Sequence, residues 1–299
     1  MHQKTNKYNL EHYCDSFMLK TYRYIQQSLK DLYPETEIRS FALHIFRHVA
    51  GVSLVDVFST GSRVFSEKQS DEIREIVARL QKNEPLQYIL GETNFYGLDF
   101  YVNLSTLIPR PETEELVEFV LQNTSPLLPY RILDIGTGSG CIAVALAKYL
   151  PKAHITGWDI SEKALETAAK NAERNQVNVT FEKRDILLSE PKDIKEKYDI
   201  IVSNPPYVPK REKEYINKNV LEYEPASAIF VPDDDPLLFY KKISSLAPYL
   251  LKKEGLLFFE TSSIFGKATA DMLRETGFGN VELRKDMSGK DRMILGKVK

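Results

Sequence analysis

The sequence is short of cysteine, of long apolar runs and of surplus charge, and each shortage excludes a class of protein. Two cysteines, Cys14 and Cys141, stand in 299 residues. They give no disulfide scaffold and no thiolate pair at metal-ligand spacing. No run of about 18 apolar residues occurs, so no membrane span is expected. The polar start, Met1 to Asn9, lacks the apolar stretch of a secretory leader, and a cytoplasmic protein is expected. Lys and Arg number 40 against 42 Asp and Glu, a formal net charge of −2. Residues 1–85 are similarly balanced. Gripping a long stretch of nucleic acid takes a basic excess or a basic face, so no stable nucleic-acid binding is expected. What remains is ordinary for a globular protein: 42% hydrophobic and 27% charged residues, enough for a substantial core.

The pattern changes twice along the chain. Residues 8–84 read as a small helical bundle. Ser66 to Gln69 has capping-box spacing, and Ile73, Ile76, Val77 and Leu80 follow as one apolar stripe. Ile38, Phe41, Ala42, Ile45 and Val49 form another, and Pro85 is expected to stop the last helix. Residues 88–109 are rich in strand formers and broken by Gly91 and Gly97, which predicts a β-hairpin. From residue 130, strands at 131–135, 154–158, 179–184, 198–203 and 255–260 alternate with helices, and two further strands close the chain. That alternation predicts a parallel sheet covered on both faces, with one of the last two strands antiparallel. The expected division is 1–86 helical, 87–110 hairpin linker and 111–299 α/β.

The run Asp134-Ile135-Gly136-Thr137-Gly138-Ser139-Gly140 leaves a strand and opens a helix. It should therefore lie at the carboxyl edge of the sheet, where such folds bind ligands. Its third glycine comes one residue too early for a dinucleotide-binding turn, and no Gly-Lys-Ser/Thr follows as in a P-loop. The turn suits a nucleoside ligand without phosphates, such as S-adenosylmethionine; a plain glycine-rich turn is an equal alternative. Asp159, at the end of the second strand, can accept from both ribose hydroxyls, or act as an N-terminal acid of the next helix. Asp185 can accept from an adenine amino group and Ile186 can pack on the base. For this pair, a polar strand end beside a core residue weighs nearly the same.

The most specific feature is Asn204-Pro205-Pro206-Tyr207, which follows the fourth strand. An amide nitrogen is a poor nucleophile because its lone pair is shared with the carbonyl. Methyl transfer requires that nitrogen desolvated and in line with the methyl–sulfur bond. The Asn204 side-chain oxygen and the Pro205 carbonyl can each accept one N–H of an –NH2 group. The prolines fix φ and add no competing donor, and Tyr207 can stack on a flat amide or base. A rigid strand-ending turn is the bland alternative.

The sequence resembles the peptide chain release factor N5-glutamine methyltransferases. The likeness runs from about Glu84 onward. It rests on Glu84-Pro85-Leu86-Gln87-Tyr88, Phe95-Tyr96-Gly97-Leu98, and Thr106 to Glu114 with its Pro109-Arg110-Pro111. It also rests on the glycine turn, Ser203 to Tyr207, and Tyr223-Glu224-Pro225. The resemblance implies a class I, Rossmann-like α/β methyltransferase sheet with a small N-terminal helical substrate-recognition domain and a β-hairpin connector. It implies that Gly136, Thr137, Gly138, Ser139, Gly140, Asp159, Ile186 and Asn204 bind S-adenosylmethionine, with 109–114 lying over it. Asn204, Pro205, Pro206 and Tyr207 would hold the glutamine of a Gly-Gly-Gln loop on a release factor, the protein partner. A monomer is expected.

Two departures, Asp233-Asp234-Asp235-Pro236 and Glu260-Thr261-Ser262, fall outside the residues assigned to transfer. Glutamine methylation of a ribosomal protein and N-methylation of a flipped base are the alternative reactions. His44 and His48 lack further metal ligands nearby. Asp233 to Asp235 reads as a solvated loop, and so does the mixed-charge run 210–218.

Overall fold

The structure, a computed structural model, describes residues 17–52 and 65–298. The chain falls into two compact units, Met1–Leu90 and Gly91–Lys299. Cys14 and residues 8–16 of the first expected helix lie outside the described residues.

The first unit holds helices α1 (Phe17–Leu29), α2 (Glu35–Ala50), α3 (Glu67–Leu80) and α4 (Leu86–Leu90). Helix α2 ends where Gly51 takes a left-handed φ of 64°, a conformation that costs a residue without Cβ nothing. Helix α3 begins at the expected capping box: Gln69 N donates to Ser66 Oγ at 3.2 Å, and Ser66 N to Gln69 Oε1 at 2.9 Å. Its stripe Ile73, Ile76, Val77 and Leu80 is buried against Ile25, Leu29, Ile38, Ala42, Ile45 and Phe46.

Two local expectations change. Helix α3 stops at Leu80, before Pro85, and Pro85 instead opens α4, its carbonyl accepting from Tyr88 N and Ile89 N. A proline is tolerated there because the first helical N–H groups have no intrahelical partner. Tyr88 to Leu90 are therefore helical and not strand. The hairpin is shorter, β1 (Glu92–Phe95) and β2 (Leu98–Tyr101), joined by Tyr96 and Gly97 at φ 49° and 74°, the double positive φ of a type I′ turn. Phe95 and Phe100 meet edge to face at 5.9 Å within the core of the second unit.

That unit continues with α5 (Pro111–Gln122), β3 (Arg131–Ile135), α6 (Cys141–Tyr149), β4 (His154–Asp159), α7 (Glu162–Arg174), β5 (Val179–Lys183) and β6 (Tyr198–Ser203). There follow β7 (Val208–Pro209), α8 (Lys218–Tyr223), β8 (Phe230–Val231), α9 (Leu238–Leu250), β9 (Leu251–Glu260), α10 (Gly266–Glu275), β10 (Gly279–Lys285) and β11 (Asp291–Lys297). Seven strands form one sheet in the order β10-β11-β9-β6-β3-β4-β5. β5, β4, β3, β6 and β9 are parallel, and β11 runs antiparallel to both its neighbours.

Alternation along the strands feeds two cores. Ile132, Ile200, Val202 and Phe258 face α5 and α6, while Leu133, Ile201, Leu257 and Phe259 face α9 and α10. This is the period-two burial of a sheet covered on both sides. From β3 the chain proceeds to β4 and β5 on one side, then returns to β6 on the other. The carboxyl ends of β3 and β6 therefore flank the point where the strand order reverses, where folds of this kind open a crevice. Among the described residues no helix is long and apolar enough to cross a membrane, and no group of three His, Cys, Asp or Glu residues could hold a metal.

Candidate active site

A cavity of about 370 Å³ opens at this reversal. The glycine turn forms its floor: Gly136 N and Thr137 N donate to Trp158 O at 2.8 and 2.9 Å, tying the turn to the end of β4. Gly136 and Gly138 have φ of 75° and 55°, and a Cβ added at Gly136 would meet nothing within 4 Å. Bare backbone thus faces open space that a ligand can enter. Gly140 (φ 79°) has a different role. A Cβ there would lie 3.0 Å from Ala168 Cβ, so this glycine lets α6 and α7 approach, and it does not line the cavity. Gly140→Ala combines a left-handed backbone with overpacking and is expected to destabilise the unit by about 2–4 kcal/mol, measured by urea denaturation.

Asp159 reaches the turn from β4. Its Oδ2 accepts from Gly138 N and its Oδ1 from Ser161 N, both at 2.9 Å, and burial raises its carboxyl above the ordinary range. Each oxygen keeps a further lone pair for a diol. Beneath it Asp134 is fully buried and takes Thr137 Oγ1–H at 2.6 Å; burial pushes its pKa up to about 7. Asp185 accepts from Leu187 N at 2.9 Å and lines the far wall with Ile186 and Leu187. Glycine backbone, an acid at the end of the second strand and an apolar wall fit the amino-acid end, ribose and adenine of S-adenosylmethionine.

Leu107, Pro109 and Arg110 form another wall. They are strapped down by the buried Glu224, whose Oε2 accepts from Ile108 N at 3.2 Å while its Oε1 pairs with the Arg110 guanidinium. Glu224→Ala frees the strap and strands Ile108 N. It is expected to raise the dissociation constant for S-adenosylmethionine about tenfold, read by calorimetric titration.

Asn204, Pro205 and Pro206 line the same cavity. Their position is fixed by Ser203 Oγ, which donates to Ile135 O across the strand ends at 2.6 Å. Asn204 Nδ2 donates to Thr113 Oγ1 at 3.1 Å, and Thr113 Oγ1 donates to Glu260 Oε2 at 2.7 Å. Tyr207 is not part of the lining: its phenol turns back and approaches Glu260 Oε1 at 3.4 Å, and burial raises its pKa. Glu260 is fully buried at the end of β9, with Tyr240 OH donating to its backbone carbonyl at 3.0 Å. Burial pushes the Glu260 carboxyl up to about 7 against the opposing effects of Thr113 and Arg292. Glu260 is thus linked to Asn204, although the run Glu260-Thr261-Ser262 stood outside the expected transfer residues.

A family profile described as "Methyltransferase domain" matches residues 129–288, and one described as "PrmC N-terminal domain" matches residues 20–91. The chain is 48% identical over 281 residues to the release factor glutamine methyltransferase of Flavobacterium psychrophilum, covering 93% of this chain and 98% of that relative. It is 44% identical over 271 residues to the release factor glutamine methyltransferase of Bacteroides thetaiotaomicron, covering 91% and 96%. The chain belongs to the release factor glutamine methyltransferase family. A solved methyltransferase from Pyrococcus furiosus shares the fold at 18% identity and a TM-score of 0.50, covering 78% of this chain and 98% of the other.

Within this member of the family the site is wider than the sequence motifs. Thr113 and Glu224 support it from the segments 106–114 and 223–225 that carry the resemblance; Glu260, which supports it too, stands in neither. The one available sign is a carboxylate, Glu260, closing the apolar run Leu256 to Phe259; a strand end of that kind rarely buries an acid without a partner. Other candidates resolve as local pairs. Asp233 accepts from Arg211 N at 2.7 Å and Asp235 pairs with Lys241. His48 lies 3.9 Å from Glu72.

Proposed function

We propose that this chain transfers the methyl group of S-adenosylmethionine to the side-chain amide nitrogen of the glutamine in the Gly-Gly-Gln loop of a peptide chain release factor. Family membership supports the reaction class and the protein substrate. The observation that carries the chemistry is the orientation of Asn204: its amide nitrogen is committed to Thr113, which leaves Oδ1 as an acceptor on the opposite side of the carboxamide.

S-adenosylmethionine supplies an electrophilic methyl carbon on a sulfonium. Asn204 Oδ1 and the Pro205 carbonyl receive the two N–H groups of the substrate amide and turn its nitrogen toward that carbon. Gathering the nitrogen in a water-excluded pocket supplies the proximity that an amide lacks in solution. Forming the C–N bond would break the methyl–sulfur bond, whose electron pair stays on the departing neutral thioether; the nitrogen would become acidic and its surplus proton would pass to an accepting oxygen and then to water, so no dedicated base is required. The prolines keep competing donors away. Tyr207, tied to Glu260, braces the loop from behind.

The first unit, with its separate core, recognises the release factor in this reading. The chain acts in the cytoplasm as a single copy.

The test is transfer of radiolabel from S-adenosylmethionine in the presence of purified release factor, ribosomal subunits or DNA. Label on the release factor, abolished when its Gly-Gly-Gln glutamine is replaced, is the expected result. Label confined to a ribosomal protein or to DNA overturns the assignment.

A further inference from the structure

We propose that Thr113 and Glu260 are positioning residues that set the orientation of the Asn204 carboxamide, and thereby decide whether the site offers an acceptor or a donor to the substrate nitrogen. The inference rests on the reading of Asn204 as the acceptor for that nitrogen.

A carboxamide is nearly symmetric in shape. Rotation by half a turn exchanges O for NH2 at little steric cost, so only a hydrogen-bond partner distinguishes the two states. In the wrong state Asn204 would present N–H to the N–H of the substrate, donor against donor. A lone threonine could not prevent this, because its hydroxyl both donates and accepts.

Glu260 removes the ambiguity. An ionised carboxylate can only accept, and its Oε2 takes the single hydroxyl proton of Thr113 at 2.7 Å. Thr113 Oγ1 then has only lone pairs left, and Asn204 must meet it with Nδ2, as it does at 3.1 Å. Polarity passes from carboxylate to hydroxyl to carboxamide, and the acceptor face of Asn204 points away from Thr113.

Each member of the relay is held from its own element. Thr113 sits in the first turn of α5, two residues after Pro111, with its N–H on Arg110 O at 3.0 Å. Glu260 ends β9, paired in register with Met293 of β11. Its second oxygen is approached by Tyr207, so one carboxylate orients the first and last residues of the Asn204 to Tyr207 loop. Thr113 and Glu260 are buried, which keeps water from offering alternative partners.

The experiment compares wild type, Thr113→Val, Thr113→Ala and Thr113→Ser in steady-state methylation of a purified release factor, with cofactor affinity and melting temperature measured in parallel. Valine keeps the shape of threonine and lacks the hydroxyl. It should lower kcat by about 10- to 100-fold, with KM for the release factor and cofactor affinity changed less than about threefold. Serine restores the hydroxyl and should return kcat to within about threefold of wild type. Alanine, should valine fail to fold, is expected to repeat the kcat loss. Wild-type kcat in either hydroxyl-free variant overturns the proposal. So does a serine variant as impaired as valine at an unchanged melting temperature, since that would assign Thr113 a packing role only. A wild type silent on the release factor sinks the functional reading and the relay together, whereas an active wild type matched by Thr113→Val sinks the relay alone.

Discussion

Asn204→Ala is expected to lower kcat about a thousandfold while the dissociation constant for S-adenosylmethionine stays within about threefold of wild type. The split follows from the two halves of the site. The cofactor wall is built from the glycine turn, Asp159 and the segment after β5, none of which depends on the Asn204 side chain for position. The acceptor that gathers the substrate amide is Asn204 Oδ1, and loss of one preorganised polar group at a reacting centre costs about 10²- to 10³-fold. Truncation also leaves Thr113 Oγ1 without its donor, which does not repair the loss. Single-turnover transfer to a release factor, with calorimetric titration of the cofactor, separates the two quantities. A variant within fivefold of wild-type turnover would remove Asn204 from the chemistry.

The second large effect is a dependence on pH. Glu260 faces Thr113 and Glu112 on α5, Tyr207 after β6, Tyr240 on α9 and Arg292 on β11. Burial outweighs the help from Thr113 and Arg292, and the carboxyl titrates near 7. Once protonated it can donate to Thr113, the hydroxyl turns round, and Asn204 loses the reason to keep its oxygen toward substrate. Activity should therefore fall about tenfold per unit below pH 7, reaching about a hundredfold loss near pH 5. Glu260→Gln, which cannot ionise, should flatten that limb; a variant that keeps the full limb places the titration elsewhere, with the buried Asp134 as the next group to test.

Stability should move in the opposite sense. Glu260 and Asp134 both hold protons in the folded chain at pH values where the unfolded chain has released them. Folding is thus favoured at the acid end of the interval from the ordinary carboxylate range to about 7, and that advantage disappears as pH rises through it. At pH 8, Glu260→Gln should raise the melting temperature by about 5 °C. Thermal scans at pH 6 and 8 check the sign.

The fold was legible because two kinds of signal agreed. Alternating apolar strands and capped helices from residue 130 onward gave the covered sheet, and the stripe Ile73 to Leu80 gave α3. Pro85 misled because proline ends one helix as readily as it begins another, and the five-residue turn 81–85, with Asn83 at positive φ, separates α3 from α4. Tyr88 to Leu90 have strand-forming side chains whose local preference yields to packing against the first core. At the site, Gly136, Gly138, Asp159, Asp185, Ile186, Asn204, Pro205 and Pro206 stood out as motifs, and the chain brings them to one cavity. Gly140 and Tyr207 stood in the same motifs but face Ala168 and Glu260 instead. Thr113 stood in the segment 109–114 expected over the cofactor, but its link to Glu260 could not be found in this way. They are 147 positions apart, and their partnership exists only once α5 is packed beside the end of β9.

The reversed direction of β11 determines what the last residues of the chain do. A parallel strand would bring its final residues to the working edge of the sheet. β11 instead brings its first, so that Met293 pairs with Glu260 and Arg292 donates to the Thr261 carbonyl and to Asp286. A carboxyl-terminal deletion that removed residues 291–299 would therefore do more than fray a sheet margin. It would withdraw the guanidinium that offsets the buried Glu260, and the damage would be felt at a side chain almost ninety positions upstream, Asn204.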